Sequence, residues 1–191
     1  VRKYKEKFQI FSNYLIEDEH IRYGIFTIHM YEKQEERIDN ELPIRDFTKK
    51  LLGRLVFLYF LQRKGWMGVS APTKGNKVIW KDGYTDFIHR LFNEAKYPDK
   101  FHSKYLSELF YKTLNNEKRE DFLFLIDGKS PFTDNVNRCV PYLNGGLFDD
   151  DFPAGNKIDF STTLFENLFA FLEQYNFTID ENSPEDHEVG I

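Results

Sequence analysis

Residues 45–66, RDFTKKLLGRLVFLYFLQRKGW, constrain the fold more than any other stretch of the chain. Ile44, Phe47, Leu51, Leu55 and Leu58 recur at helical spacing, while Arg45, Lys49, Lys50 and Arg54 fall on the other side. From Leu55 to Leu61 every residue is apolar or aromatic, and a helix that is apolar all round has to be enclosed by other elements. The run is too short to cross a bilayer, and Arg54 and Arg63-Lys64 bound it closely. Pro43 suits a first turn, Arg63 and Lys64 suit the carbonyl-rich end, and Gly65 suits a left-handed cap with Trp66 packing back. The expectation is a buried central helix in which Leu55, Leu58, Phe60 and Trp66 carry the packing.

The rest of the chain supplies material to enclose it. Of 191 residues 41% are hydrophobic, and 20 Phe with 11 Tyr argue for one packed globule rather than disorder. Tyr4, Phe8, Phe11 and Leu15 predict an amphipathic first helix, whereas residues 21–31 read equally well as strand or buried helix. The charged residues 32–41 form either a solvated helix end or a linker. After Trp66, Gly and Pro punctuation predicts a loop with room for a short hairpin around residues 78–80. Helices follow over residues 86–95 and from a Ser103 cap to Asn115, then a short apolar run closed by a turn at residues 127–131. In VPYLNGGLF, Gly145-Gly146 predict closely packed or positive-φ backbone between Tyr142 and Phe148. A last helix from Ser161 should bury Leu164, Leu168, Phe171, Leu172 and Tyr175, with Thr163 and Glu166 at capping-box spacing. The fold class is mainly α, an irregular helical bundle. Its expected organisation is a helical or linker region at residues 1–42, the helical body at 43–180, and a linker at 181–191.

Chemistry is sparse. A net charge of −5 argues against a chain built to coat nucleic acid, so any phosphate contact falls to a local basic face, with Arg45, Lys49, Lys50 and Arg54 the candidates. The alternative is a solvated face or ion pairs with the acids of residues 32–41. Cys139 stands alone, which excludes an internal disulfide and a cysteine zinc cluster and fits a reducing cytoplasm. Five histidines show no metal-ligand spacing. Asp149, Asp150 and Asp151 read as a solvated corner more readily than as a cation site. Pro98-Asp99 followed by Asp127-Gly128-Lys129 formally matches a PD…(D/E)xK nuclease, with Asp99 and Asp127 holding Mg²⁺ and Lys129 assisting water. Such acids must converge from a strand-turn-strand, whereas these lie between helices and in a turn.

Three blocks together resemble one family: LLGRLVFLYFLQRKGWM (51–67), VPYLNGGLF (140–148), and YNFTIDE (175–181) followed by EVGI (188–191). In this order they look like the helical connector preceding the methyltransferase domain of type IIG-like restriction–modification enzymes and adenine-specific DNA methyltransferases. The resemblance implies a parent protein that uses S-adenosylmethionine, with Mg²⁺ where a nuclease is fused. It implies DNA and intramolecular methyltransferase and nuclease domains as partners, and a cytoplasmic location. The Gly-rich cofactor loop and the Asn/Asp-Pro-Pro-Tyr/Phe motif of that methyltransferase are not in this sequence, so no catalytic, cofactor or metal residue carries over. The missing initiator Met adds to the expectation of a piece of a longer protein. Two other classes stay open: the metal-dependent nuclease above, and a protein-interaction module with no DNA role.

Overall fold

The computed structural model describes residues 2–27, 41–73, 76–117, 122–143, 145–150 and 152–175. The fold is mainly α, as the sequence predicts, with one two-stranded antiparallel sheet. The central helix spans Glu41–Arg63, starting four residues before Arg45 and keeping Pro43 in its first turn. Its end is a Schellman cap. Gly65 has φ +72°, its N–H bonds the Gln62 carbonyl at 2.9 Å, and the Trp66 N–H bonds the Leu61 carbonyl at 3.2 Å. Only the backbone of Trp66 closes the helix; its indole is 42% exposed, which corrects the expectation that it packs back. Phe60 is likewise half-buried, while Leu55 and Leu58 are fully enclosed. The apolar run is thus covered on most of its girth and half-open along Val56, Phe57 and Phe60.

Around it one hydrophobic cluster runs from Phe11 to Leu172. The N-terminal helix, Arg2–Glu17, contributes Phe11 and Leu15, and the last helix, Thr162–Leu172, contributes Phe165, Leu168, Phe169 and Leu172. Leu168, Phe171 and Leu172 are buried as predicted, but the buried face is wider than expected, since Phe165 and Phe169 also go inward, and Tyr175 is 43% exposed. The reason is aromatic packing. Phe92, Phe101, Phe165 and Phe169 meet at centroid distances of 5.0–6.2 Å, and Tyr59 reaches this group by stacking on Phe169 at 6.2 Å. Ser161 precedes the last helix without a side-chain capping bond.

Residues 22–27 settle as helix rather than strand, in a wide π-type turn; residues 28–40 and 176–191, with the linker and tail read from the sequence, lie outside the described residues. Two more π-type segments, Phe101–Leu106 and Glu108–Leu114, occupy the region expected to be one α-helix. In all three a hydroxyl reaches back five residues to a carbonyl: Thr27 to Arg22, Ser107 to His102 and Thr113 to Glu108, each at 3.0 Å. Five-residue reach is the period of the π turn, so these hydroxyls reinforce the widened winding. Ser103 is not a cap. It lies inside the first of these segments, and Asp159 caps it from outside, accepting from the Ser103 N–H at 2.9 Å and Oγ at 2.7 Å.

The strands pair far in sequence: Val69–Ser70 with Arg138–Cys139, in register Val69 to Cys139. Residues 78–80 form no hairpin. The tight hairpin is instead at Ile126 and Lys129, where Asp127 (φ +50°) and Gly128 (φ +74°) make the doubly left-handed turn that Asp-Gly favours. Among the described residues no helix is long and apolar enough to cross a membrane. Since Leu58 is fully enclosed, Leu58→Asp should bury an unpaired charge and cost several kcal/mol. Circular dichroism melts should show no cooperative transition; a soluble, cooperatively melting variant would refute the enclosed helix.

Candidate functional site

The basic residues of the central helix part company in the structure. Arg45, Lys49 and Lys50 lie on its exposed face, and Arg45 leans on Glu41 one turn back at 3.4 Å. Arg54 does not join them. It is 4% exposed, which corrects its assignment to a phosphate-facing arc. One turn beyond Lys50, the helix has rotated its guanidinium under the VPYLNGGLF turn. There Nε donates to the Leu147 carbonyl at 2.6 Å, Nη2 to the Asp149 carbonyl at 2.9 Å, and Nη1 to the Tyr111 hydroxyl at 2.5 Å. The plane also lies over the rings of Phe110 and Tyr111, at 5.6 and 5.1 Å. Among the described residues this buried cation is therefore stabilised by dipoles rather than by a carboxylate. The two carbonyls belong to the C-terminal end of the short 3-10 turn Gly146–Phe148, where backbone oxygens point outward and carry partial negative charge.

The turn is shaped to bring those oxygens in. Gly145 holds φ +148°, a conformation that L side chains avoid, and a Cβ there would meet nothing within 4 Å. Of the two sequence alternatives for the glycine pair, positive φ is therefore the one Gly145 obeys, not close packing. Phe148 is buried against Phe57 and Phe110, at 6.2 and 5.6 Å, while Tyr142 is half-buried and Leu147 is 39% exposed. Two blocks that are distant in sequence thus meet at one arginine. An Arg between Leu51 and Leu55, bordering the all-apolar run, is the available sequence signal for it.

A second buried polar group sits nearby. The His102 imidazole bonds the Ile158 carbonyl through Nδ1 at 2.6 Å and packs edge-on to Phe47 and Phe160. Burial pushes it down from its ordinary 6.5 to about 4, against the opposing pull of the Ile158 carbonyl and Asp159; Arg54 adds to the lowering. No spacing motif marked this residue.

The nuclease-like residues are not brought together. Asp127 stands at the tip of the two-residue hairpin, three-quarters exposed, and accepts from the Lys104 ammonium at 2.5 Å. Hydrogen bonding to Asp127 holds the Lys104 ammonium above its usual range. Asp127 and Lys129 border one cleft of about 310 Å³, and Asp99, in the 3-10 turn Pro98–Lys100, is not among its walls. Asp149 and Asp150 accept from Asn115 (3.5 Å) and Asn156 (2.9 Å), as corner acids do. Among the described residues no group of three or more His, Cys, Asp or Glu is placed to hold a metal ion, and Cys139 is buried.

With this geometry in view, one curated relative is informative. A protein of Methanocaldococcus jannaschii, named as a candidate type II restriction enzyme and methyltransferase, is 28% identical over 149 residues, covering 73% of this chain and 10% of that protein. The chain therefore spans about a tenth of the length of the relative it matches. No protein-family profile and no solved structure matches the chain.

Two outcomes follow from the buried groups. Lysine cannot reproduce the three-way fork of Arg54, so Arg54→Lys should destabilise by about 2 kcal/mol in urea titrations; a variant within experimental error of the parent would show that the clamp is not structural. For His102 the unfolded imidazole takes up a proton as pH falls through 6.5, whereas the folded one resists until about 4. Its contribution is constant above that window and is lost across it at about 1.4 kcal/mol per pH unit. The pH slope of stability between those values should be shallower in His102→Asn than in the parent.

Proposed function

We propose that the chain is a non-catalytic helical connector of a restriction–modification enzyme, holding an adenine-specific methyltransferase, and a nuclease where one is fused, in fixed relation on DNA. The observation that carries this reading is the match to a tenth of a protein named for both restriction and methylation. The interior supports it in kind. The Arg54 clamp fastens the central helix to the VPYLNGGLF turn, and a continuous aromatic core ties both terminal helices to that helix. A scaffold that sets distances between other domains needs such an interior, because close-packed cores transmit force instead of absorbing it.

S-adenosylmethionine belongs in this proposal to the neighbouring methyltransferase. The residues of this chain do not fit it: the sequence has neither a Gly-rich cofactor loop nor an Asn-Pro-Pro-Tyr. DNA is the expected macromolecular partner, met through the exposed Arg45, Lys49 and Lys50, and the cytoplasm is the expected compartment. On a chain of net charge −5, three basic residues on a helix face they share with the exposed Asp46 would give at most a local contact with the phosphate backbone and no base readout.

The complete gene product is expected to transfer methyl groups from S-adenosylmethionine to adenine in DNA, whereas the 191-residue chain alone should neither methylate nor cleave. In the complete product, Lys49→Glu with Lys50→Glu should raise KM for DNA by about threefold to tenfold at low salt and leave kcat unchanged, since phosphate contacts position without entering chemistry. Mg²⁺-dependent cleavage by the chain alone, lost on Asp127→Ala, would overturn the connector reading in favour of a nuclease. Complete absence of methyl transfer by the full product would remove its premise.

A further inference from the structure

The irregular segment after the first strand serves neither the core nor the Arg54 clamp, yet it builds two adjoining clefts. One, of about 450 Å³, has Trp80, Phe122 and Cys139 in its walls, with Asn76 and Lys77 also bordering it. The other, of about 400 Å³, shares Asn76 and Lys77 and adds Ser70, Thr73, Lys81 and Asp82. Ala71, Pro72, Asn76 and Lys77 border both, so an aromatic cleft adjoins a more polar one. Trp80 and Phe122 stand perpendicular, with centroids 5.2 Å apart, the edge of one ring set against the face of the other. Trp80 is half-buried, while Lys77 and Lys81 are exposed.

We propose that these paired clefts bind an unpaired nucleotide, the base in the aromatic cleft and the phosphate on the polar side. Volume favours this occupant, since a cleft of this size takes a flat heterocycle, and small-ligand sites are characteristically apolar with a few polar groups that fix orientation. Chemistry favours it as well. Stacking on an indole accepts any base, the Asn76 carboxamide offers both a donor and an acceptor to a base edge, and Lys77 lies on the boundary between the two clefts. Charge agrees: among the described residues of the polar cleft, Lys77 and Lys81 outnumber the acid, Asp82. A base within duplex DNA hides both faces, so single-stranded nucleic acid and free nucleotides are the two sources of this shared chemistry. The inference stands independently of the connector reading, because none of Arg45, Lys49 and Lys50 is among the described walls of these clefts.

The chain has two tryptophans, so Trp66→Phe, at an exposed position, leaves Trp80 as the sole indole reporter. Its emission should be quenched saturably by a short single-stranded oligodeoxynucleotide, and only weakly by the same sequence as duplex. Deoxyadenosine monophosphate distinguishes the sources. Quenching by the mononucleotide to the same plateau points to a free nucleotide, quenching by the oligonucleotide alone points to a strand, and either supports the site. In fluorescence anisotropy with labelled oligonucleotide, Trp80→Ala should bind about fivefold or more weakly and Trp80→Phe should bind nearly as well as the parent. Lys77→Ala should weaken binding and flatten its salt dependence. Should Trp80→Ala fail to fold, Trp80→Leu with a parent-like melt replaces it, with the same expectation. No quenching by either probe, equal quenching by duplex, or parent-like binding by a folded non-aromatic variant at Trp80 would overturn the proposal.

Discussion

The buried guanidinium of Arg54 is the interaction on which the arrangement depends. A cation removed from water must be repaid by strong local partners, and here two backbone carbonyls, a tyrosine hydroxyl and two aromatic faces do so. The partners come from two places in the chain, both distant from the helix that carries the arginine. Leu147 and Asp149 come from the glycine turn, and Phe110 and Tyr111 from the second π-type segment. Sliding the central helix along that turn would strand the charge, so the junction has one register. Substituting a carboxylate for the carbonyls would not be equivalent, because carbonyls are held by the turn itself and carry its geometry.

Aromatic packing extends the same constraint across the molecule. Phe101 touches Phe92, Phe165 and Phe169 at once, and Phe165 reaches Phe11 and Phe160, so both terminal helices share rings with the middle of the chain. Rings of this size impose specific offsets and tilts, and a helix that must meet several of them cannot also keep an arbitrary winding. The two π-type segments lie where this demand is greatest, bearing Phe101, Tyr105 and Phe110. Widening the turn re-aims side chains without breaking the backbone ladder, and the backward-reaching hydroxyls of Ser107 and Thr113 accompany it.

What was legible in the sequence is what local pattern encodes. The enclosed Leu55 and Leu58, the Gly65 cap, the Asp127-Gly128 turn and the mainly helical class all follow from spacing, glycine chemistry or dipoles, which act within a few residues. Phe60 packs against the core while half-buried, and Trp66 departs from the expectation because apolar character does not guarantee burial: a cap fixes its backbone and leaves the indole free to stay in solvent. The strand pairing of Val69 with Cys139, the capping of Ser103 by Asp159 and the burial of His102 each join residues far apart in sequence. No local signal contains them. Arg54 is the instructive intermediate: its helical phase allied it with Lys50, yet it sits between Leu51 and Leu55, at the edge of the enclosed stretch.

That placement divides one helix between two physical tasks. Up to Lys50 the outward side chains include Arg45, Asp46, Lys49 and Lys50, all exposed, where charge acts at a distance and is screened by salt. From Arg54 onward the helix is spent on enclosure, and the same cation type acts by direct contact in a low-dielectric setting where screening is weak. Salt should therefore alter what the first half does to a charged partner while leaving the second half's hold on the glycine turn largely untouched. A rigid body with one face open to electrostatic adjustment suits the connector role proposed above, because a contact with a charged partner could form and release without the scaffold yielding.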